Sequence, residues 1–153
     1  MKFHAATEHT IRILQHLHRQ QGVTQTAMEI VLALDMKYPF FMSVTSNLTK
    51  AGLIKTTQGR NGGYSLGKPV HEISVYDVFR AVEGDLQLRD CLQENVRCIG
   101  GDINDCKLRT FLYKLQKKMI AEMSAKTIVE LRSSSDKYDE DKRETGSDEN
   151  IAS

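Results

Sequence analysis

No apolar run in the sequence exceeds a handful of residues. Ile30 to Leu34 is about the longest, whereas a bilayer span needs ~20, so no transmembrane helix is expected. The opening Met1-Lys2-Phe3-His4-Ala5-Ala6-Thr7-Glu8 contains no signal-peptide core ahead of its first acid. These two absences lead us to expect a cytoplasmic protein with no membrane partner. Cysteine is scarce too: the chain has three, an odd number that cannot pair fully, and a reducing compartment would keep them as thiols. None of them forms the close C-x2-C pair typical of structural zinc sites. From Asp136 onward apolar residues at any useful spacing are lacking. Such a stretch buries too little surface to offset its ordering entropy, so residues 134–153 are expected to be a disordered acidic tail. No internal repeat is present.

The 153 residues, 40% hydrophobic and 27% charged, suffice for one soluble domain with an appendage and not for two full cores. The net charge of +1 conceals an asymmetry. Residues 136–153 hold seven acids against three bases, and residues 1–135 hold 18 bases against 13 acids. A basic body with an acidic tail points to a nucleic-acid partner.

The apolar spacing predicts a run of helices. Ile11, Leu14 and Leu17 share one face of a segment opening near Thr7, with Arg12, Gln15 and Arg19 opposite and a break at Gly22. Thr26-Ala-Met-Glu29 has the form of a capping box and opens a short helix through Ile30, Val31 and Leu34. Pro39, which suits the first helical position, starts another that stops at Gly52, a natural left-handed C-cap. The period then changes. Leu53 to Thr57 and Tyr64 to Leu66 are β-rich runs around the glycine loop Gln58-Gly-Arg-Asn-Gly-Gly63, which predicts a hairpin. Ser74 caps a helix closed by Gly84. From Asp105 a long amphipathic helix carries Leu108, Phe111, Leu112, Leu115, Met119 and Met123 at helical spacing. Thr127-Ile-Val-Glu130 reads as another capping box, with a short final helix ending near Arg132.

The expected fold is mostly α with a small β-hairpin: a winged helix-turn-helix followed by a long C-terminal dimerisation helix. The expected divisions are 1–84 for the DNA-binding domain, 85–106 for a cysteine-containing loop, 107–133 for the dimerisation helix with the short final helix, and 134–153 for the tail. In such a head a helix enters the major groove and a basic loop follows the backbone or enters the minor groove. Candidate DNA contacts on the Pro39 helix and its entry turn are Lys37, Tyr38, Ser43, Thr45, Ser46, Asn47 and Lys50. On the wing they are Thr57, Gln58, Arg60 and Asn61. Arg60 leads these, because a guanidinium on a glycine-flanked loop suits a narrow, electronegative minor groove.

Cys91, Cys98 and Cys106 fall within sixteen residues as C-x6-C-x7-C. Wide spacing in a glycine-containing loop suits an iron–sulfur cluster, whose several irons spread the thiolates apart; plain reduced thiols, one of them redox-reactive, are the other reading. His4, His9, His16, His18 and His71 read mostly as surface side chains, and His16 and His18 do not share a helix face. No nucleophile and base are brought together by a recognisable motif, so no enzymatic activity is expected.

Leu48-Thr-Lys-Ala-Gly-Leu-Ile54 followed by Gly59-Arg-Asn-Gly-Gly-Tyr-Ser-Leu-Gly-Lys-Pro69, with Cys106-Lys-Leu-Arg109 leading into a long helix and Thr127-Ile-Val-Glu-Leu131 after it, strongly resembles the IscR/NsrR-type (Rrf-two) family of winged-helix regulators. The resemblance covers residues 1 to about 132. It implies a homodimeric transcription factor, usually a repressor, that binds a palindromic operator in double-stranded DNA and pairs through the long helix. In the sensing branches three cysteines hold an iron–sulfur cluster responsive to nitric oxide, iron or redox state, and Cys91, Cys98 and Cys106 match those positions. The nitric-oxide branch takes its remaining ligand from a carboxylate near the partner subunit's N-terminus, where Glu8 falls here with His9 beside it. The IscR-like branch uses a histidine three residues after the last cysteine, a position held here by Arg109. The cysteine gaps exceed those usual in the family, which leaves the nuclearity open. Pro39, Phe40, Phe41 and Met42 also replace more polar residues, including a glutamate that tunes operator choice in IscR-like members. Two alternatives stand beside this reading: a cluster-free repressor of the same fold controlled through thiols or a protein partner, and an interaction module whose tail and long helix bind a metabolic enzyme.

Overall fold

A computed structural model describes residues 5–93 and 105–131. Three helices come first: α1, Ala5–Arg19; α2, Ala27–Ala33; and α3, Tyr38–Lys50. The strands β1, Ile54–Thr57, and β2, Gly63–Leu66, follow, then α4, Val75–Glu83, and α5, Lys107–Ala125. Single turns of 3-10 helix lie at Val70–Glu72 and Asp90–Leu92. Among the described residues no helix is long and apolar enough to cross a membrane.

Local chemistry sets most of these boundaries. The Thr26 hydroxyl accepts the Glu29 amide and the Glu29 carboxylate accepts the Thr26 amide at 2.7 Å, so both ends of a complete capping box open α2. Ser74 and Asp77 repeat the device at α4. Lys37 occupies the N-cap position of α3, which begins at Tyr38, one residue before the proline predicted to start it. Gly52, at φ 71°, ends it in the left-handed region that favours glycine.

Burial raises the Asp77 carboxyl, but the hydrogen bonds from Ser74 and the nearby Lys68 ammonium outweigh that and hold it below the usual carboxylate range. A carboxyl lowered on folding adds stability above its unfolded pKa, and that stability is lost as pH falls through the folded value. Asp77→Asn should therefore cost about 1 kcal/mol at pH 7 and flatten the loss of stability below about pH 4. Urea titrations at several pH values would check both.

The core joins α1, α2, α3 and α4 through Ile13, Leu14, Ile30, Phe41, Leu48, Ile73 and Val78, all but sealed from solvent. His16 is buried with them, which corrects the expectation of a surface residue: it lies one turn from Ile13 on the inward face of α1. The hairpin pairs Ile54 with Leu66 through to Thr57 with Gly63. It is fastened to the head by a bridge between Gln25 and Tyr64, whose amides each donate to the other's carbonyl at 2.9 and 2.7 Å. Gly63 makes this approach possible, since a Cβ there would lie 2.3 Å from the Gln25 carbonyl oxygen. Gly63→Ala should cost roughly 2 kcal/mol or more, read as a fall of roughly 5 °C in melting temperature.

The short final helix predicted after Thr127 is replaced by a turn over residues 128–131. The Glu130 carboxylate does take the Thr127 amide at 2.7 Å. However, Thr127 forms a bridge with Ser74, the Ile128 amide donates to the Ile73 carbonyl at 3.0 Å, and the Ile128 side chain fills the core at 0% exposure. Tertiary packing has claimed the residues that a helix would have needed. Residues 132 and 133, and the expected tail 134–153, lie outside the described residues.

Candidate nucleic-acid interface and cysteine site

The outward face of α3 and the hairpin beside it form one surface. Pro39, Met42, Ser43, Ser46 and Lys50 are exposed at helical spacing, while Phe41, Val44, Thr45 and Leu48 face the core. Of the residues predicted to meet DNA, Lys37, Tyr38, Ser43, Ser46 and Lys50 are exposed and Asn47 is half-buried. Thr45 is the exception, at 2% exposure. Its hydroxyl donates to the Phe41 carbonyl at 2.9 Å, the back-bonding a helical threonine uses when it turns inward, so it is withdrawn from the list of DNA contacts. Thr57, Gln58, Arg60 and Asn61 are all exposed on the wing, whose tip is closed by the Gly62 amide donating to the Gly59 carbonyl at 3.0 Å.

Between α3 and the hairpin runs a groove lined by Met42, Thr45, Ser46, Thr49, Lys50, Thr56 and Tyr64. Tyr64 joins its two walls: its ring meets Phe41 edge-on at 5.2 Å between centroids, and its hydroxyl lies 3.7 Å from the Met42 sulfur. Met42, Thr49, Thr56 and Tyr64 were absent from the predicted contacts. The spacing of 42, 46 and 50 along one face was readable from the sequence, but the strand register that sets Thr56 opposite Tyr64 was not.

The cysteine site begins where α5 begins. Cys106 is the N-cap of α5, and its sulfur accepts the Arg109 amide at 3.4 Å. Cys91 sits in the 3-10 turn Asp90–Leu92, and its carbonyl accepts the Arg109 Nε–H at 2.8 Å. The Leu88 amide donates to the Gln116 side chain at 3.0 Å, so the segment after α4 lies along α5. Both thiols are free and half-buried. Cys98 lies outside the described residues.

Among the described residues no three His, Cys, Asp or Glu side chains come together to hold a metal ion, so Glu8 does not join Cys91 and Cys106 within one chain. Glu8 is exposed on α1 and paired with Arg12 at 2.6 Å. His9 Nδ1 donates to the Ala5 carbonyl at 2.6 Å, and its ring packs edge-on against Phe40. The donor chemistry of the loop fits a cluster better than a hard cation: it offers soft sulfur, half-buried, beside the open amides of a helix N-terminus that favour negative charge.

A helix-turn-helix whose second helix is exposed along one face, with a basic-tipped hairpin beside it, defines a winged-helix DNA-binding protein. The chain belongs to the Rrf2 family of transcriptional regulators: the family model, described as an iron-dependent transcriptional regulator, matches residues 3–133. It is 28% identical over 138 residues to the HTH-type transcriptional regulator NsrR of Halalkalibacterium halodurans, covering 89% of this chain and 93% of that one. Its fold is similar to that of CymR, the global cysteine regulator of B. subtilis, with TM-score 0.63, 19% identity and coverage of 86% and 95% of the two chains. It is likewise similar to IscR of T. potens, with TM-score 0.60, 20% identity and coverage of 86% and 85%. The family is non-enzymatic and acts by binding DNA.

Proposed function

We propose that this regulator is a homodimeric repressor whose affinity for a palindromic operator is set by an iron–sulfur cluster held by Cys91, Cys98 and Cys106, with Glu8 of the partner subunit as remaining ligand. The observation that carries the reading is the joining of the Cys91 and Cys106 segments at the start of α5, in a chain of the Rrf2 family. When bound, such a cluster supplies a redox-active, nitric-oxide-reactive centre ligated by thiolates. The chain's own part is to hold the two cysteine segments against α5 and to link α5 back to the head.

Dimer pairing is supported by α5 itself, none of whose residues is buried within one chain. Leu108 and Phe111 stand 65% and 61% exposed, and with Leu112 and Leu115 they keep the spacing of a helix seam. A second copy covers this stripe. Two-fold pairing then sets the α3 helices to read half-sites about one duplex turn apart.

Two experiments test the reading. Protein purified without oxygen is expected to be brown, with iron and acid-labile sulfide, and to change its operator affinity on exposure to nitric oxide; a colourless, iron-free protein with an invariant affinity sinks the cluster. Arg60→Ala is expected to weaken operator binding by roughly tenfold, and to lower the salt slope by about one if Arg60 neutralises a phosphate. The fold likeness to CymR and the two free thiols favour a second reading, a cluster-free regulator that responds through thiols or a partner. The same spectrum separates the two.

A further inference from the structure

We infer that Arg109 is a positioning residue that fastens the Cys91 segment to the first turn of α5, so that one side chain fixes where Cys91 stands relative to Cys106. Arg109 reaches both cysteine segments in different ways. Its backbone amide donates to the Cys106 sulfur at 3.4 Å, a bond set by helix geometry that any residue at this position would keep. Its guanidinium donates to the Cys91 carbonyl at 2.8 Å, a bond that only the side chain supplies. Cys91 and Arg109 are 18 residues apart in the chain, so local geometry alone does not bring them together.

The surrounding bonds show what Arg109 alone controls. The segment is closed on itself by the Leu92 amide to the Arg89 carbonyl, the Gln93 amide to the Asp90 carbonyl, and the Gln93 side chain to Gln87 at 2.6 Å. Among the described residues two hydrogen bonds attach it to α5, Gln116 to Leu88 and Arg109 to Cys91. These two α5 residues are seven positions, or about two turns, apart and share one face. Losing Arg109 leaves the anchor at Leu88 in place and releases the turn that carries Cys91. Losing Gln116 does the reverse. A hydrogen bond from a charged donor to a half-buried carbonyl is among the stronger ones a loop can have.

The fastening itself is independent of any bound group. Its bearing on a cluster rests on the reading proposed above: two thiols held in place ligate a common group without first ordering the loop, and so keep it longer.

The test uses the full-length, reduced, metal-free protein and iodoacetamide, with the alkylation rate of each cysteine followed by mass spectrometry. Arg109→Ala is expected to speed alkylation of Cys91 roughly tenfold, the factor that one charge-assisted bond is worth, while Cys106 changes less than about twofold. Gln116→Ala is expected to leave the Cys91 rate within about threefold of the parent. Equal acceleration at both cysteines, or none at Cys91, overturns the proposal. Arg109→Lys keeps the charge and loses the Nε–H; it should shift Cys91 in the same direction, and it decides the matter should the alanine variant fail to accumulate folded. In a second arm, protein reconstituted with ferrous iron and sulfide is challenged with an iron chelator, and Arg109→Ala is expected to lose its visible absorbance several-fold faster than the parent. If the parent takes up no iron and sulfide yet Cys91 is selectively released, the cluster reading falls and the positioning role stands.

Discussion

Phe111→Asp combined with Leu115→Asp is expected to turn the proposed dimer into a monomer by light scattering and to lower operator affinity roughly a thousandfold, from the specific range to the non-specific one. Both side chains stand on a helix with no buried residue of its own, at 61% and 39% exposure. Burying a Phe or Leu against a second copy is worth about 1.5–3 kcal/mol each, and two carboxylates placed in that seam would meet their symmetry mates as like charges. A monomer would keep its reading head and lose only the second half-site. Circular dichroism should therefore remain close to that of the parent while DNA affinity falls. A dimer that survives both substitutions would move the pairing surface away from α5.

Cys106→Ser is expected to abolish iron and sulfide binding and to make operator affinity indifferent to nitric oxide, oxidants and chelators. Serine is chosen over alanine because Cys106 is the N-cap of α5, and a serine hydroxyl caps a helix well. The substitution removes a soft sulfur donor and leaves the helix start intact, so a thermal melt close to that of the parent would exclude unfolding as the cause. Retention of colour and of the nitric-oxide response would exclude Cys106 from the ligands.

The capping box read at Thr26 and the N-cap read at Ser74 both open helices, because everything they need lies within four residues. The pattern at Thr127 makes the bonds to the Glu130 carboxylate, but the Glu130 amide donates to the Thr127 carbonyl at 3.2 Å, and no helix opens. The cause is remote: Ile73 and Ser74 offer backbone partners, and the core has room for Ile128. No local pattern records that competition. The same limit applies to Thr45. A polar residue on a recognition helix reads as a DNA contact until its neighbours are counted, and positions 41, 44, 45 and 48 together mark the face that turns inward. The periodicity carried that information, and residue type argued against it.

The cysteine site was legible as a cluster of donors and not as an arrangement. Spacing alone could not show that Arg109 would bind the Cys91 carbonyl across 18 residues, nor that Gln116 would hold Leu88. Such contacts depend on how the segment after α4 lies along α5, which is a tertiary matter. The groove residues Thr56 and Tyr64 escaped for a related reason, since they meet α3 only once the hairpin is folded against it.

Over its 19 residues α5 measures about 28 Å, and hydrogen bonds hold it along its length. Arg109 in its first turn and Gln116 at its middle bind the segment after α4, and beyond its far end the Lys126 carbonyl takes the Val75 amide at 2.8 Å. On the cluster reading proposed above, a displacement of about 1 Å at the sulfur end of a rod this long corresponds to a tilt of roughly 2° at the end that meets α4. Such a lever would carry a small local change at the cysteines toward the head without any part of it having to soften.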